Sequence, residues 1–328
     1  MRGAEQDRFL GALLGLAIGD ALGMPVAGWS AEQIQRQHGR ITAYHGRAFP
    51  DGTEIKAGEF TDETEIALCI VEAFTVDQGA LVPEHIGARL RFLARGESKR
   101  WLGEQTLAAI ISAEERVVYQ VPLDEDSPAT GDVAARGVPV GLIHAVGPFQ
   151  PEALRADAEL VTRLTHGNPL AIAATMAVAF GVQLAARGAT PRGEWIEATA
   201  AFVAPGAVSE QLAHVGQPQG EGLGASEILD CLSDASDAAA VVATAFAAAV
   251  AAASFEDAVF AAVNKGGATD ARGAIAGALA GAAGGVGDIP QRLIDDLEGR
   301  IYLSLAAPWF HRVALRRAGL LLDLRPGN

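Results

Sequence analysis

Two segments of this 328-residue sequence place a glycine at every fourth position. The segments are "GALLGLAIGDALG" near the start and "GAIAGALAGAAGG" near the end, with Gly11, Gly15, Gly19 and Gly23 in the first and Gly273, Gly277, Gly281 and Gly285 in the second. This spacing puts the glycines on one helix face, where missing side chains permit close helix approach at a cost of about 1 kcal/mol of helix propensity each. We therefore expect the two ends of the chain to pack together.

A membrane helix pair would show the same glycine spacing. The uncharged stretch of the second segment ends at Asp288, too early for a span. A second uncharged run, residues 238–255, reaches the threshold length, but it is mostly alanine and its large residues Val241, Phe246 and Val250 have the spacing of a helix buried among helices. We predict no membrane association.

Helical periodicity dominates the rest of the chain, and alternating strand patterns are nearly absent. Alanine-rich runs with apolar residues three and four apart recur at about 9–28, 62–78, 84–95, 104–115, 170–187, 226–262 and 271–286. No flexible interdomain linker interrupts them. The pattern predicts an all-α fold with a single domain over residues 1–328.

Charge and cysteine content exclude several classes of protein. The net charge of −15, with 40 acidic against 25 basic residues, argues against a nucleic-acid binder, which needs clustered lysine and arginine. The two cysteines, Cys69 and Cys231, fall in apolar helical patterns and indicate buried thiols in a reducing compartment. Because no cleavage site follows the apolar N-terminal run, we predict a mature cytoplasmic chain.

The stretch "TDETE" begins at Thr61, directly before an apolar helical run. With Asp62 as N-cap and Glu65 three residues on, it fits a capping box, and acids in a first turn complement the helix dipole. The same Thr61, Asp62 and Glu63 could instead provide half of the oxygen shell that a hard cation requires. The sequence leaves both interpretations open.

A second stretch, "NKGGATDARGAIAGALAG", supplies the best candidate for the other half of such a shell. Gly266 and Gly267 lead into Thr269 and Asp270 at the start of another small-residue helix. A glycine-rich turn at a helix N-terminus also presents backbone N–H groups of the kind that bind phosphate. The alternative is that Asp270 is a plain helix cap.

Two further features are candidates for ligand binding. The segment "TGDVAARGVPVG" contains a turn at Gly131 and Asp132 followed by Arg136, which suits a diphosphate but also a solvated loop. In "LTHGNPLAIAA", His166 precedes a turn and a helix, where a hydrogen-bonded core histidine is the commoner outcome. The sequence contains no G-x-S-x-G, G-K-[ST], H-E-x-x-H or paired C-x-x-C motif.

Taken together and in this order, these segments resemble the ADP-ribosylglycohydrolase family. The likeness extends over roughly residues 8–295 and rests on "GALLGLAIGDALGMPV", "GEFTDETEIAL", "TGDVAARGVPVG", "LTHGNPLAIAA" and "AVNKGGATDARGAIAGALAGAAGGVGDIP". The resemblance implies that the all-α domain is a compact orthogonal helical bundle whose cleft holds two magnesium or manganese ions. It also implies that Thr61, Asp62, Glu63 and Asp270 are metal ligands, with Asp62, Glu63 and Asp270 catalytic.

The sequence departs from the family pattern at that metal site. Ala268 replaces the first aspartate of the C-terminal motif, Ala271 replaces its final threonine, and Ala27 stands where a glutamate is frequent. Glu63 is one methylene longer than the usual aspartate. We therefore predict at most one bound Mg²⁺ or Mn²⁺, held weakly.

Three functions remain open at this stage. The first is a one-metal hydrolase that removes ADP-ribose, or a related ribosyl group, from a protein or small molecule. The second is a pseudoenzyme that binds an ADP-ribose-like ligand without cleaving it, as the alanines at 27, 268 and 271 suggest. The third is a structural or interaction role in which the acids are only helix caps. Gly131, Asp132, Arg136, His166, Gly266, Gly267 and Thr269 are the expected ligand-binding residues in the first two.

Overall fold

Helices account for most of the protein, as the periodicity predicts. A computed structural model of the chain describes residues 2–116, 119–216, 224–230, 232 and 235–321. The α-helices in these residues are α1 Arg2–Gly23, α2 Ala31–His38, α3 Asp62–Val76, α4 Pro83–Arg95, α5 Glu104–Arg116, α6 Gly137–Ile143, α7 Pro151–Arg163, α8 Pro169–Arg187, α9 Trp195–Phe202, α10 Ala207–Val215, α11 Ala225–Asp230, α12 Ala238–Ala251, α13 Phe255–Asn264, α14 Thr269–Gly284, α15 Gln291–Asp295 and α16 Arg300–Arg317. The all-α prediction is confirmed.

Strand structure in the described residues is confined to one short hairpin. β1, Arg47–Ala48, pairs antiparallel with β2, Glu54–Ile55. Arg47 lies opposite Ile55 in this pairing.

The glycine stripes of α1 and α14 face each other, and these two helices form the most extensive helix contact in the described fold. A Cβ added at Gly15 would lie 2.6 Å from the carbonyl carbon of Gly277, and one added at Gly11 would lie 2.7 Å from the carbonyl carbon of Gly285. Side chains are therefore excluded from the crossing, and the predicted packing of the chain ends is confirmed. Gly285 follows the last helical residue and adopts a φ of 75°.

The run predicted as one helical region at 226–262 forms three separate helices. Asp237 caps α12 by accepting from the backbone N–H of Ala239 at 3.0 Å, and Ser254 caps α13 by accepting from that of Asp257 at 3.1 Å. Alanine periodicity continues across both caps and hides them. The predicted runs also missed seven helices, namely α2, α6, α7, α9, α10, α15 and α16.

Apolar helices fill the interior. Two segments of the described residues, Glu5–Val26 and Pro169–Arg187, are long and apolar enough to cross a membrane, and most of each is buried inside the fold. Cys69 is a free buried thiol whose pKa burial raises to about 12. Cys231 lies outside the described residues.

The end of α1 and the starts of α3 and α14 meet at one place in the fold. The Thr269 hydroxyl donates to the Gly23 carbonyl at 2.7 Å and thereby ties α14 to α1. The turn Asp132–Arg136 packs against both α3 and α14. These contacts gather the acidic residues of four segments.

Candidate active site

Asp20 of α1 organises the start of α3. Its fully buried carboxylate accepts hydrogen bonds from the backbone N–H groups of Thr61 at 3.0 Å and Thr64 at 3.2 Å. It also accepts from the Thr61 hydroxyl at 2.7 Å and the Thr64 hydroxyl at 2.6 Å. Asp20 thus satisfies N–H groups that the first turn of a helix leaves free. Sequence reasoning missed this role, although an aspartate inside an otherwise apolar helix was a signal.

The proposed capping box at Asp62 and Glu65 is wrong. Thr61 is the N-cap residue, and Asp62 is the first residue of α3. Thr61 makes no side-chain cap bond within its own helix because its hydroxyl is directed to Asp20. The carboxylates of Asp62 and Glu63 are therefore not used as caps, and both lie buried at this end of the helix.

Thr61 also connects two carboxyl groups. Its Oγ1 lies 2.7 Å from Asp20 Oδ1 and 2.9 Å from Glu63 Oε2. A hydroxyl carries one proton, so one of the two carboxyl groups must supply the proton for its own contact. Burial, with Asp270 and Asp62 nearby, raises the pKa of Glu63 well above its ordinary value. Glu63 is therefore the group we expect to be protonated when no cation is bound.

At the start of α14, Ala268 is the N-cap and provides no side-chain cap bond. Asp270 lies within the first turn, and its Oδ1 accepts from the Ala271 N–H at 2.9 Å. The interpretation of Asp270 as the helix cap is therefore wrong. Thr269 is fully buried with its hydroxyl bonded to Gly23, so its side chain stabilises the helix pair and does not face a ligand.

The glycine turn before α14 is engaged by another loop of the protein. The Gly267 N–H donates to the Trp29 carbonyl at 2.8 Å, and the Gly28 N–H donates to the Gly267 carbonyl at 2.9 Å. Gly266 and Gly267 have φ values of 86° and 70°, a conformation that favours glycine. Because the Gly267 N–H is already used, the predicted phosphate contact at that group is not available.

Arg272 stabilises the same turn from the protein interior, a role that the sequence analysis did not predict. Its side chain is fully buried in α14. Its guanidinium donates to the carbonyls of Gly266 and Ala235 and, at 3.0 Å, to the Thr244 hydroxyl. The arginine thus fixes the backbone that leads to Asp270.

Acids of other segments raise the pKa values of Asp62 and Asp270. Burial raises the pKa of Asp62 well above its ordinary value, and Asp132, Asp20 and Asp270 raise it further. Burial also raises the pKa of Asp270 to about 6, with Asp20 and Asp132 adding to the shift. Such mutual effects require short separations in a poorly hydrated place. The expectation that Asp62 and Asp270 share a cleft stays a prediction.

The acids fit a hard divalent cation in chemical type. Buried carboxylates that raise one another's pKa are stabilised by a positive charge, and oxygen donors are what Mg²⁺ and Mn²⁺ prefer. Among the described residues, however, no three His, Cys, Asp or Glu side chains are assembled as a metal-binding group. Glu63 and Asp270 instead contact the Thr61 hydroxyl and the Ala271 N–H. Cation binding would require these side chains to reorient.

The segment around Asp132 does not form a solvated loop. Residues Asp132–Arg136 form a 3₁₀ turn in which Arg136 is buried at 2% exposure. The Arg136 guanidinium donates to the Thr165 hydroxyl at 2.6 Å and to the Val161 carbonyl at 3.3 Å. Arg136 therefore ties the turn to a neighbouring segment of the chain in the protein interior, and its guanidinium is not directed toward a diphosphate. Gly131 is needed for close packing, because a Cβ there would lie 2.8 Å from Cβ of Val241. Asp132 remains partly exposed beside the other acids.

His166 is a buried histidine with both ring nitrogens near hydroxyl groups. Its Nδ1 lies 2.8 Å from Thr165 Oγ1, and its Nε2 lies 3.4 Å from Thr130 Oγ1. Burial, with the charge of Arg136, lowers the pKa of His166 to about 4. The imidazole is therefore neutral at pH 7, as expected for a hydrogen-bonded core residue.

The chain is similar to known proteins over nearly its whole length. The ADP-ribosylglycohydrolase family profile matches residues 1–323. An uncharacterized protein of Archaeoglobus fulgidus is 28% identical over 95% of this chain and 98% of its own length. The ADP-ribosyl-(dinitrogen reductase) glycohydrolase of Rhodospirillum rubrum is 27% identical over 90% of this chain and 92% of its own. A solved structure titled "ADP-ribosylglycohydrolase-related protein complex" superposes with a TM-score of 0.73 at 28% identity, covering 95% of this chain and 99% of that one.

Proposed function

Because this chain belongs to the ADP-ribosylglycohydrolase family, we propose that it hydrolyses the glycosidic bond between ADP-ribose and an acceptor group on a protein or small molecule. The family relationship supports hydrolase activity on ADP-ribosyl linkages. The observation that carries the proposal for this chain is the coupling of Asp62, Glu63 and Asp270, which come from two distant helix starts.

One Mg²⁺ or Mn²⁺ would be held by Asp62, Glu63 and Asp270 together with the Thr61 hydroxyl. The ion would bind and polarise oxygen atoms of the substrate and would lower the pKa of a bound water. Glu63 must lose its proton before it can serve as a ligand, so metal affinity should rise with pH.

We assign the proton transfers of the reaction to the carboxyl groups. Water adds to the anomeric carbon of the ribose, the bond to the acceptor breaks, and the departing group takes up a proton. With a pKa of about 6, Asp270 is mostly ionised at pH 7 and can accept the proton that the water loses. Asp20 and Arg272 hold α3 and the Gly266 turn in position for this chemistry.

A second candidate function is binding of ADP-ribose without cleavage. It is favoured by Ala268 and Ala271, which leave the first turn of α14 with Asp270 as its only acid. Ala27 is the third such position. Fewer oxygen ligands imply less transition-state stabilisation, and a loss of about 4 kcal/mol would slow the reaction roughly a thousandfold.

Two measurements distinguish these functions. Calorimetric titration with ADP-ribose, with and without Mn²⁺, tests binding, and chromatography of free ADP-ribose released from ADP-ribosylarginine, ADP-ribosylserine and small-molecule conjugates tests hydrolysis. Release that Asp270→Asn abolishes supports the hydrolase. Binding without release on any linkage supports the second function, and no binding heat under either condition refutes both.

A further inference from the structure

Six of the nine exposed large apolar side chains in the described residues belong to α16 and to the ends of α3 and α4. The surface that they occupy, which we name the α16 face, consists of Val76, Phe92, Ile301, Tyr302, Leu305 and Trp309, whose exposed fractions run from 43% to 77%. Two grooves of about 300 and 380 Å³ connect five of these residues, all except Ile301, and Tyr302 lines both grooves. We propose that the α16 face is a two-fold interface between two copies of this chain.

The size of the face matches what a dimer requires. At about 200 Å² for a large side chain, the exposed fractions correspond to roughly 700–800 Å² on one copy. A specific interface of ordinary size buries about 800 Å² from each partner, whereas the largest apolar patch on a monomer is typically about 300–600 Å². The α16 face therefore has the area of one half of a dimer interface.

The order of residues along α16 favours a second copy as the occupant. Ile301, Leu305 and Trp309 are spaced four apart and form one ridge, symmetric in sequence about Leu305. In an antiparallel pair of α16 helices with the two-fold axis at Leu305, Leu305 meets its own copy and Ile301 meets Trp309 of the other. Ridges of this spacing pack into the corresponding grooves of a second helix at about −50°. Ala306, in the adjoining groove, leaves room for such a ridge.

Charges outside the ridge are complementary under the same symmetry. Glu298, just before α16, and Arg312, near its end, are both exposed and equally far from Leu305. The antiparallel arrangement therefore brings Glu298 of each copy toward Arg312 of the other. The Arg312 guanidinium already lies 5.8 Å from the ring centre of Trp309, so the cation borders the apolar ridge.

The polar groups within the face already have partners. Arg89 forms an ion pair with Glu72, and the Tyr302 hydroxyl donates to the same carboxylate. Burying an unpaired charge is costly. A second copy that covers the face would bury Arg89 and Glu72 as a pair, so this cost does not arise. Apolar packing then supplies the stabilisation.

Sedimentation equilibrium of the full chain tests the proposal. We expect twice the 33.8 kDa chain mass for the unmodified protein and the single-chain mass for Leu305→Glu, which places two carboxylates on the axis. Leu320→Glu is the control, because Leu320 is 49% exposed but outside the face, and it should leave the dimer unchanged. Circular dichroism verifies that each variant is folded. A monomeric unmodified chain, or a Leu305→Glu variant that still dimerises, would overturn the proposal.

A charge exchange tests the orientation. Glu298→Arg and Arg312→Glu should each weaken dimerisation about tenfold by placing like charges opposite each other, and the double variant should restore it. Under mild oxidation, Leu305→Cys should form a covalent dimer that the unmodified chain does not form. Failure of the double variant to restore dimerisation, or flotation of a monomeric chain with phosphatidylserine vesicles, would contradict this interface.

Discussion

Replacing Gly277 by alanine should destabilise the protein because there is no room for a methyl group between α1 and α14. A Cβ at Gly277 would lie 2.8 Å from the carbonyl carbon of Gly15 and closer still to its oxygen. Ordinary carbon–oxygen contacts are about 3.3–3.6 Å, so the helices would have to separate by roughly 1 Å. Gly273 and Gly281 make similar contacts on either side, so the strain cannot be relieved locally.

The expected size of the effect follows from two opposing terms. Overpacking costs about 1–3 kcal/mol and more where the obstacle is backbone, while alanine gains about 1 kcal/mol of helix propensity. Because the obstacle is backbone, the cost lies at or above the top of that range, and we expect a net loss of at least about 2 kcal/mol in the free energy of unfolding. For a chain of 328 residues the unfolding entropy is roughly 0.7 kcal/mol per kelvin, so Tm should fall by at least about 3 °C. Asp20 and Asp270 lie on these two helices, so any stabilisation by Mn²⁺ should also decrease.

Thermal unfolding followed by circular dichroism and calorimetry measures the change. The matched control is Gly3→Ala, because Gly3 belongs to α1 but has no atom within 4 Å of an added Cβ. This variant should keep or slightly raise Tm. A Gly277→Ala protein with a Tm within about 1 °C of the unmodified chain would refute the close-packing argument.

Three further outcomes are expected. Asp20→Asn should lower the free energy of unfolding by about 1–3 kcal/mol in urea titrations, because an amide cannot accept all four hydrogen bonds; an unchanged midpoint would contradict the role of Asp20. In a buffer that contains a metal chelator, the raised pKa of Asp270 keeps its carboxyl group protonated in the folded protein between about pH 4 and 6. The same group ionises in the unfolded chain over this range, so the free energy of unfolding should fall with rising pH by up to about 3 kcal/mol. Asp270→Asn should make this decrease smaller when the free energy of unfolding is measured as a function of pH. A variant with the same pH profile as the unmodified chain would contradict the raised pKa of Asp270. Ala268→Asp with Ala271→Thr should raise Mn²⁺ stoichiometry by calorimetry from at most one toward two and increase any hydrolytic rate, whereas two ions in the unmodified chain would show that the one-metal prediction is wrong.

The sequence alone determined the fold class and the central helix pair. Helical periodicity and alanine content leave little choice but an all-α structure. Glycines four apart mark a helix face that only another closely approaching helix can cover, so α1 and α14 could be paired without coordinates. Acidic helix starts at Asp62 and Asp270 were likewise visible from the chain, because first-turn positions follow directly from the start of an apolar run.

Only the tertiary structure decided which groups those acids meet. Periodicity states which residues share a face, but a hydrogen bond between Asp20 and Thr61 depends on two helices that are separated by 38 residues of chain between Gly23 and Asp62. The same limit explains why Arg136 and Thr269 were expected to face a ligand: a motif gives the residue, whereas the packing of its neighbours gives the direction of its side chain. The α16 face was invisible for the related reason that exposure is a property of the assembled surface, and an apolar residue in sequence carries no mark of whether the fold covers it.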